Sequence, residues 1–162
     1  MGIQRLNHAV LYVRDVGRSV DFYRGVLGFR VVHQLPGAAF LQAPDSDNDH
    51  DLGLFEVGSG ASASDAGRGS VGLYHLAWSV PTLSELRRHE QLLREAGALV
   101  GASDHVTTKA LYARDPDGLE FEVSWLVPAD HVTAQLRSEV AVLPLDIDAE
   151  VARWGSDLVG MA

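Results

Sequence analysis

The chain has 162 residues, 46% of them hydrophobic and 22% charged, enough to bury a core of its own without disulfides and within the range of one compact domain. No apolar run approaches the roughly eighteen residues of a membrane span, and the opening MGIQRLNHAV lacks a charged leader followed by an apolar stretch, so the reading is a cytoplasmic globular protein. The net charge of −9 disfavours nucleic acid, and the absence of cysteine leaves histidine and carboxylate as the strong metal ligands on offer.

In chain order, Asn7-His8-Ala9-Val10-Leu11-Tyr12-Val13 alternates like a strand. Asp15 then stands as an N-cap before Val16, Val20, Tyr23, Val26 and Leu27 at helical spacing, with Gly28 as the stop. Short β-rich runs follow at 29–34, 38–42 and 52–57. Residues 58–70, almost all glycine, serine, alanine and aspartate, read as a flexible surface linker. The pattern then begins again. Tyr74-His75-Leu76-Ala77-Trp78-Ser79-Val80 repeats the first strand with histidine again in second place. Thr82-Leu83-Ser84-Glu85 opens a helix carrying Leu83, Leu86 and Leu93 and closed by Gly97. Runs at 99–102, 108–113 and 119–126 complete it, the last two joined by the turn Asp115-Pro116-Asp117-Gly118.

The expected fold is therefore α+β: two tandem β-α-β-β-β modules, about 4–58 and 71–127, within one domain, 1–127. Residues 128–162 form a C-terminal extension, with an apolar stretch at 140–145 and a helix over 148–154. We expect it to serve in packing or at a dimer interface, and the protein to be a homodimer or higher homo-oligomer.

A lone histidine in an apolar strand is most often a core residue. Two at matching positions of two similar modules are a different matter, because pairing the modules about a pseudo-twofold axis would bring His8 and His75 together. A carboxylate on a later strand can complete the set. Alternation puts Glu120 and Glu122 on one face, so Glu122 has a competitor at the rim. Two histidines and one carboxylate on one face of a metal, with open positions opposite, is the arrangement of non-haem Fe(II) oxygenases.

At this point the sequence resembles the vicinal oxygen chelate superfamily of glyoxalase I, fosfomycin and bleomycin resistance proteins and type I extradiol dioxygenases, over roughly residues 4–127. The most specific match runs from His105 through Leu111-Tyr112-Ala113-Arg114-Asp115-Pro116-Asp117-Gly118 to Glu122, and it is similar to the extradiol signature. Ser103 is a minor departure. A second match, Asp49-His50-Asp51-Leu52-Gly53, resembles the run holding the distal acid–base histidine of those enzymes.

The resemblance implies a curved mixed sheet around a metal site, metal ligation by His8, His75 and Glu122, catalytic roles for His50, His105 and Tyr112, Fe(II) as cofactor, with Mn(II), Zn(II) or Ni(II) as alternatives, and a small aromatic diol with O₂ as substrates in aromatic catabolism. It also places Gly53 at the fourth ligand position of glyoxalase I, leaving a three-ligand site. Glu56 is the rival: His8 and Glu56 stand 48 positions apart and His75 and Glu122 47, which would give a two-histidine, two-glutamate centre. Choosing it shifts the strand by three residues and reverses its inward face. A non-oxidative metalloenzyme of glyoxalase type and a drug-sequestering resistance protein are the competing functions. His33, His89 and His131 fit no motif and are expected to be surface or structural residues.

Overall fold

A computed structural model describes residues 2–66 and 69–161. They fall into two compact units, residues 1–64 with 116–118, and residues 65–115 with 119–162. Gly67 and Arg68 of the expected linker lie outside the described residues, and Ala66 and Ser70 form an isolated bridge beside them.

The first unit is a β-α-β-β-β module: β1 (Ala9–Val13), α1 (Val16–Leu27), β2 (Arg30–Leu35), β3 (Ala38–Gln42) and β4 (Leu52–Glu56). Its sheet runs β1-β4-β3-β2, with β1 parallel to β4 and the other pairs antiparallel. Asp15 caps α1 by accepting from the Arg18 N–H at 2.9 Å, and Gly28 ends it with φ of 76°, a left-handed conformation that glycine adopts without a Cβ penalty. The helix buries Val16, Val20, Tyr23 and Leu27. Leu11, Val13, Leu41, Leu52 and Leu54 form the core face of the sheet, and Val10 and Tyr12 on the other face of β1 stay exposed.

β1 is shorter than the alternation suggests: it begins at Ala9, so His8 stands just ahead of it. The reason is long-range. The Asn7 carbonyl is taken by the Asn48 side chain at 2.9 Å, and the ladder opens only with the Ala9 N–H bonding Asp51 at 2.9 Å.

The second unit repeats the layout: β5 (His75–Ser79), α2 (Leu83–Glu95), β6 (Leu99–Asp104), β7 (Thr108–Arg114) and β8 (Glu120–Leu126). Its sheet runs β5-β8-β7-β6, β5 parallel to β8, and gains a short edge strand, β9 (Leu143–Pro144). Each module thus has its own mixed sheet, and each carries a bulge in the matching strand pair, between Val31 and His33 in one and Leu99 and Gly101 in the other. Thr82 caps α2 through Glu85 N–H, and Leu83, Leu86, His89 and Leu93 are buried beneath it. Phe121, Val123 and Trp125 form the core face of β8, leaving Glu120 and Glu122 on the other face.

The extension belongs to this second unit. It contains a single 3₁₀ turn at Ala129–His131, α3 (Ala134–Ser138), β9 and α4 (Ile147–Trp154), the last packing on α2. The apolar stretch at 140–145 is not buried as a whole. Val140 and Val142 are exposed, and only the Leu143–Pro144 backbone joins the sheet, because an edge pairing of two residues satisfies main-chain groups without covering side chains. The tail is tied down elsewhere: Ser84 N–H bonds the Ser156 carbonyl, Gly160 N–H the Pro81 carbonyl, and Trp125 Nε1–H the Leu158 carbonyl. No helix of the described residues is long and apolar enough to cross a membrane.

Candidate metal centre and its surroundings

In the second unit, β5 is parallel to β8 with His75 opposite Glu120 and Ala77 opposite Glu122. On the far side of β8, Tyr112 of β7 stands opposite Glu122 and Arg114 opposite Glu120. Because side chains alternate with period two, His75, Ala77, Glu120, Glu122, Tyr112 and Arg114 share the face turned away from the core. His75 and Glu122 meet on it, Nε2 to Oε2 3.6 Å apart, with side-chain exposures of 29% and 12%. Two ligand atoms each about 2.1 Å from one ion and subtending roughly 90–120° stand about 3.0–3.6 Å apart. The observed gap lies in that range and is too long for a direct hydrogen bond.

Glu120, the rim competitor, is already engaged: Arg114 donates to it from Nη2 at 2.6 Å and Nε at 3.2 Å. The Glu120 side chain, as hydrogen-bond acceptor and as charge, together with desolvation and against the pull of Arg114, holds the Tyr74 phenol above its ordinary value of 10.

His105 and Tyr112 are also together, Nε2 to hydroxyl 2.7 Å. Burial chiefly, then the charge of the Glu122 carboxylate and the neighbouring Tyr74, raises the Tyr112 phenol above its ordinary value, which keeps it a neutral O–H group. His105 sits on a tight turn, where its N–H bonds the Thr108 carbonyl and Val106 takes φ of 69°, a costly conformation for a β-branched residue. Asp104 offsets part of that cost by accepting from Val106 N–H at 2.7 Å.

In the first unit, His8 and His50 come together with ring centroids 4.6 Å apart, and Phe40 packs edge-on against His50 at 5.1 Å. Asn7 Oδ1 accepts from His8 Nδ1–H at 2.7 Å, which leaves the Nε2 lone pair for a ligand. Asp49 plays the same part for His50, Nδ1 to Oδ2 2.9 Å, and its carboxyl is lowered from the ordinary 3.8 chiefly by that bond.

The acidic run before His50 is organised around buried Asp51. Its carboxylate accepts from Ala43 N–H at 2.8 Å, Ser46 hydroxyl at 2.8 Å and Asn48 amide at 2.7 Å. Sequence reasoning passed over Asp51, Asn7 and Tyr74; that Asn7 and Tyr74 each directly precede a repeated histidine was the available signal.

The ladders also separate Gly53 from Glu56. Val10, two residues after His8, pairs with Gly53; Ala77, two residues after His75, pairs with Glu122. Gly53 therefore occupies in the first module the register position of Glu122 in the second. A Cβ there would meet Val10 Cγ2 at 3.3 Å. Glu56 pairs with Val13 and uses its carboxylate on the Val16 N–H of α1 at 3.0 Å. His33 is exposed on β2, His131 is exposed and bonded to Asp130, and His89 is buried on α2. Among the described residues no three histidine, aspartate or glutamate side chains lie together as a metal cluster. Each unit by itself does hold donors of the right chemistry: the first, His8 with an Nε2 lone pair not taken up by Asn7; the second, His75 and Glu122 at ligand-like spacing.

Two tandem β-α-β-β-β modules, each led by a histidine, define the class of fold, and comparison with known proteins identifies the family. Residues 5–123 match the Glyoxalase/Bleomycin resistance protein/Dioxygenase superfamily, and the chain belongs to that family. It is 35% identical over 118 residues to the catechol-2,3-dioxygenase of Bacillus subtilis (strain 168), covering 73% of this chain and 40% of that protein. It is 30% identical over 138 residues to biphenyl-2,3-diol 1,2-dioxygenase 3 of Rhodococcus globerulus, covering 83% of this chain and 71% of that one. Among solved structures, a glyoxylase/bleomycin resistance protein/dioxygenase domain from Frankia sp. EAN1pec superposes with a TM-score of 0.64 at 25% identity, over 76% of this chain and 98% of that one. The chain thus spans less than half the length of the Bacillus protein.

Proposed function

We propose that the protein is an extradiol dioxygenase that opens a catechol-type ring with O₂ at a non-haem Fe(II) held by His8, His75 and Glu122, working in the cytoplasm as a homo-oligomer. The observation that carries this reading is the His75–Glu122 pair at 3.6 Å beside the Tyr112–His105 pair, with glycine at the matching register of the other module. A fourth carboxylate ligand is thereby missing at Gly53, which suits a centre that needs open positions. The likeness to two proteins named as diol dioxygenases supports the same choice. Fold alone would not, since function is set by the site.

When bound, ferrous iron would supply adjacent open positions for the diol and O₂ and lower the pKa of the diol oxygens. The chain does the rest. His50, its Nδ1 engaged by Asp49, keeps Nε2 for proton transfer. Tyr112 offers an O–H to oxygen atoms of the substrate, and His105, bonded to that hydroxyl, fixes where it points. Ring opening would occur beside, not between, the two hydroxyls.

The test is anaerobic Fe(II) reconstitution followed by a catechol panel in air, measuring O₂ uptake and the yellow ring-opened product. We expect one iron per chain and product from at least one catechol. His50→Phe should retain the iron and turn over about a hundredfold more slowly. Stoichiometric iron with no O₂ uptake on any diol would reject the oxygenase reading.

A further inference from the structure

The two histidines are oriented by different means. A metal-bound imidazole is normally fixed by a hydrogen bond from its second nitrogen, and His8 has one in Asn7. His75 does not: its Nδ1 is buried and has no hydrogen-bond partner among the described residues. Its ring must therefore be set by packing. Tyr74 lies against it with centroids 4.8 Å apart and planes tilted by 59°, and Tyr112 stands edge-on at 6.1 Å. Successive residues of a strand point to opposite faces. Tyr74 escapes that rule because β5 begins only at His75. Glu120, the residue directly opposite His75 in the ladder, is held by Arg114 from the next strand.

We propose that Tyr74 is the positioning residue that holds the His75 imidazole in its ligating orientation, its ring packed on the imidazole. The inference rests on the metal-site reading above for its purpose, and on geometry alone for the clamp. Tyr74 is 55% exposed, so its removal leaves the core intact and the fold should survive Tyr74→Ala.

Two measurements test it. In metal-free protein labelled with ¹³C-histidine, relaxation of the His75 ring carbons reports whether the imidazole is ordered; in parallel, free Mn(II) counted by electron paramagnetic resonance gives the metal affinity. Tyr74→Ala should free the ring on the nanosecond scale and weaken Mn(II) binding about tenfold or more, the usual consequence of removing a group that orients a ligand. Tyr74→Phe, which keeps the aromatic ring and its packing, should recover most of both. A rigid His75 ring in Tyr74→Ala overturns the clamp. A freed ring with unchanged Mn(II) affinity overturns its role in ligation. A wild-type protein that binds no Mn(II) or Fe(II) would sink the metal-site reading instead, and the ring dynamics would still decide the clamp.

Discussion

Lys109 has no exposed surface at all, yet it carries a charge. Its ammonium lies 2.5 Å from Asp104 Oδ1 and 2.9 Å from Glu150 Oε2, carboxylates that are themselves only 13% and 11% exposed. Glu150 comes from α4 of the extension and also accepts from Trp154 Nε1–H at 2.9 Å, while the Trp154 ring stands 6.4 Å from that of Trp125. This cluster ties the extension to the second module. Glu150→Gln keeps the shape and an acceptor for Trp154 but removes one of the two charges facing Lys109. Breaking a buried pair outright costs about 3–5 kcal/mol, and with Asp104 still in place roughly 2 kcal/mol is expected. For a chain of this size that lowers the thermal midpoint by about 4–8 °C. Lys109→Met alone should cost more, since two largely buried carboxylates then face each other. The double variant Lys109→Met with Glu150→Gln should cost clearly less than the sum, a coupling on the order of 1–3 kcal/mol. Urea unfolding of the four proteins, followed by circular dichroism, measures the cycle. Additive effects, or a Glu150→Gln variant within about 0.5 kcal/mol of the wild type, would show that the cluster does not anchor the extension.

What the sequence made legible was what is local. Asp15, Thr82, Gly28 and Gly97 act within a turn of their helices, and the repeat fixes the order of elements because each module writes its own periodicity. The pairing of His75 with Glu122 could be anticipated from a motif, since it needs only alternation on β8 and a parallel neighbour. The misses all depend on contacts far along the chain. Strand β1 starts late because Asn48, 41 residues away, takes the Asn7 carbonyl. Asp51 looks like one acid among many in its run, and only three convergent donors mark it as the one that is buried. Lys109 did carry a signal: alternation puts it on the same face as Leu111 and Ala113, the core face of β7. What could not be read was the partner, because Glu150 arrives from an extension outside the repeat. Short elements such as α3, five residues held by Thr133, have too little pattern to stand out.

Asp51→Ala removes three hydrogen bonds to a charged acceptor and should cost about 3 kcal/mol in urea unfolding. Amide hydrogen exchange over residues 43–50 should speed up with it; an unchanged exchange pattern would mean the loop is held by something else. The last prediction concerns pH. His89 is 7% exposed on α2, its Nδ1–H donating to the Glu85 carbonyl at 2.9 Å, and burial lowers its pKa from the ordinary 6.5 against that bond, with Arg88 adding to the lowering and the Glu85 carboxylate opposing it. The unfolded chain therefore takes up this proton near pH 6.5 while the folded one still resists it. Wherever the unfolded state binds more protons, stability rises with pH, so His89 contributes fully above about pH 6.5 and its contribution is lost as pH falls below that toward the folded value. The slope from this one group cannot exceed about 1.4 kcal/mol per pH unit. Asp49 and Asp130, whose carboxyls are lowered from 3.8, titrate below this window and leave it clear. His89→Leu, similar in volume and unable to charge, should flatten the decline in unfolding free energy between pH 7.5 and 5.5. Parallel curves for the two proteins across that range would mean that His89 is hydrated in solution and that burial does not control its proton.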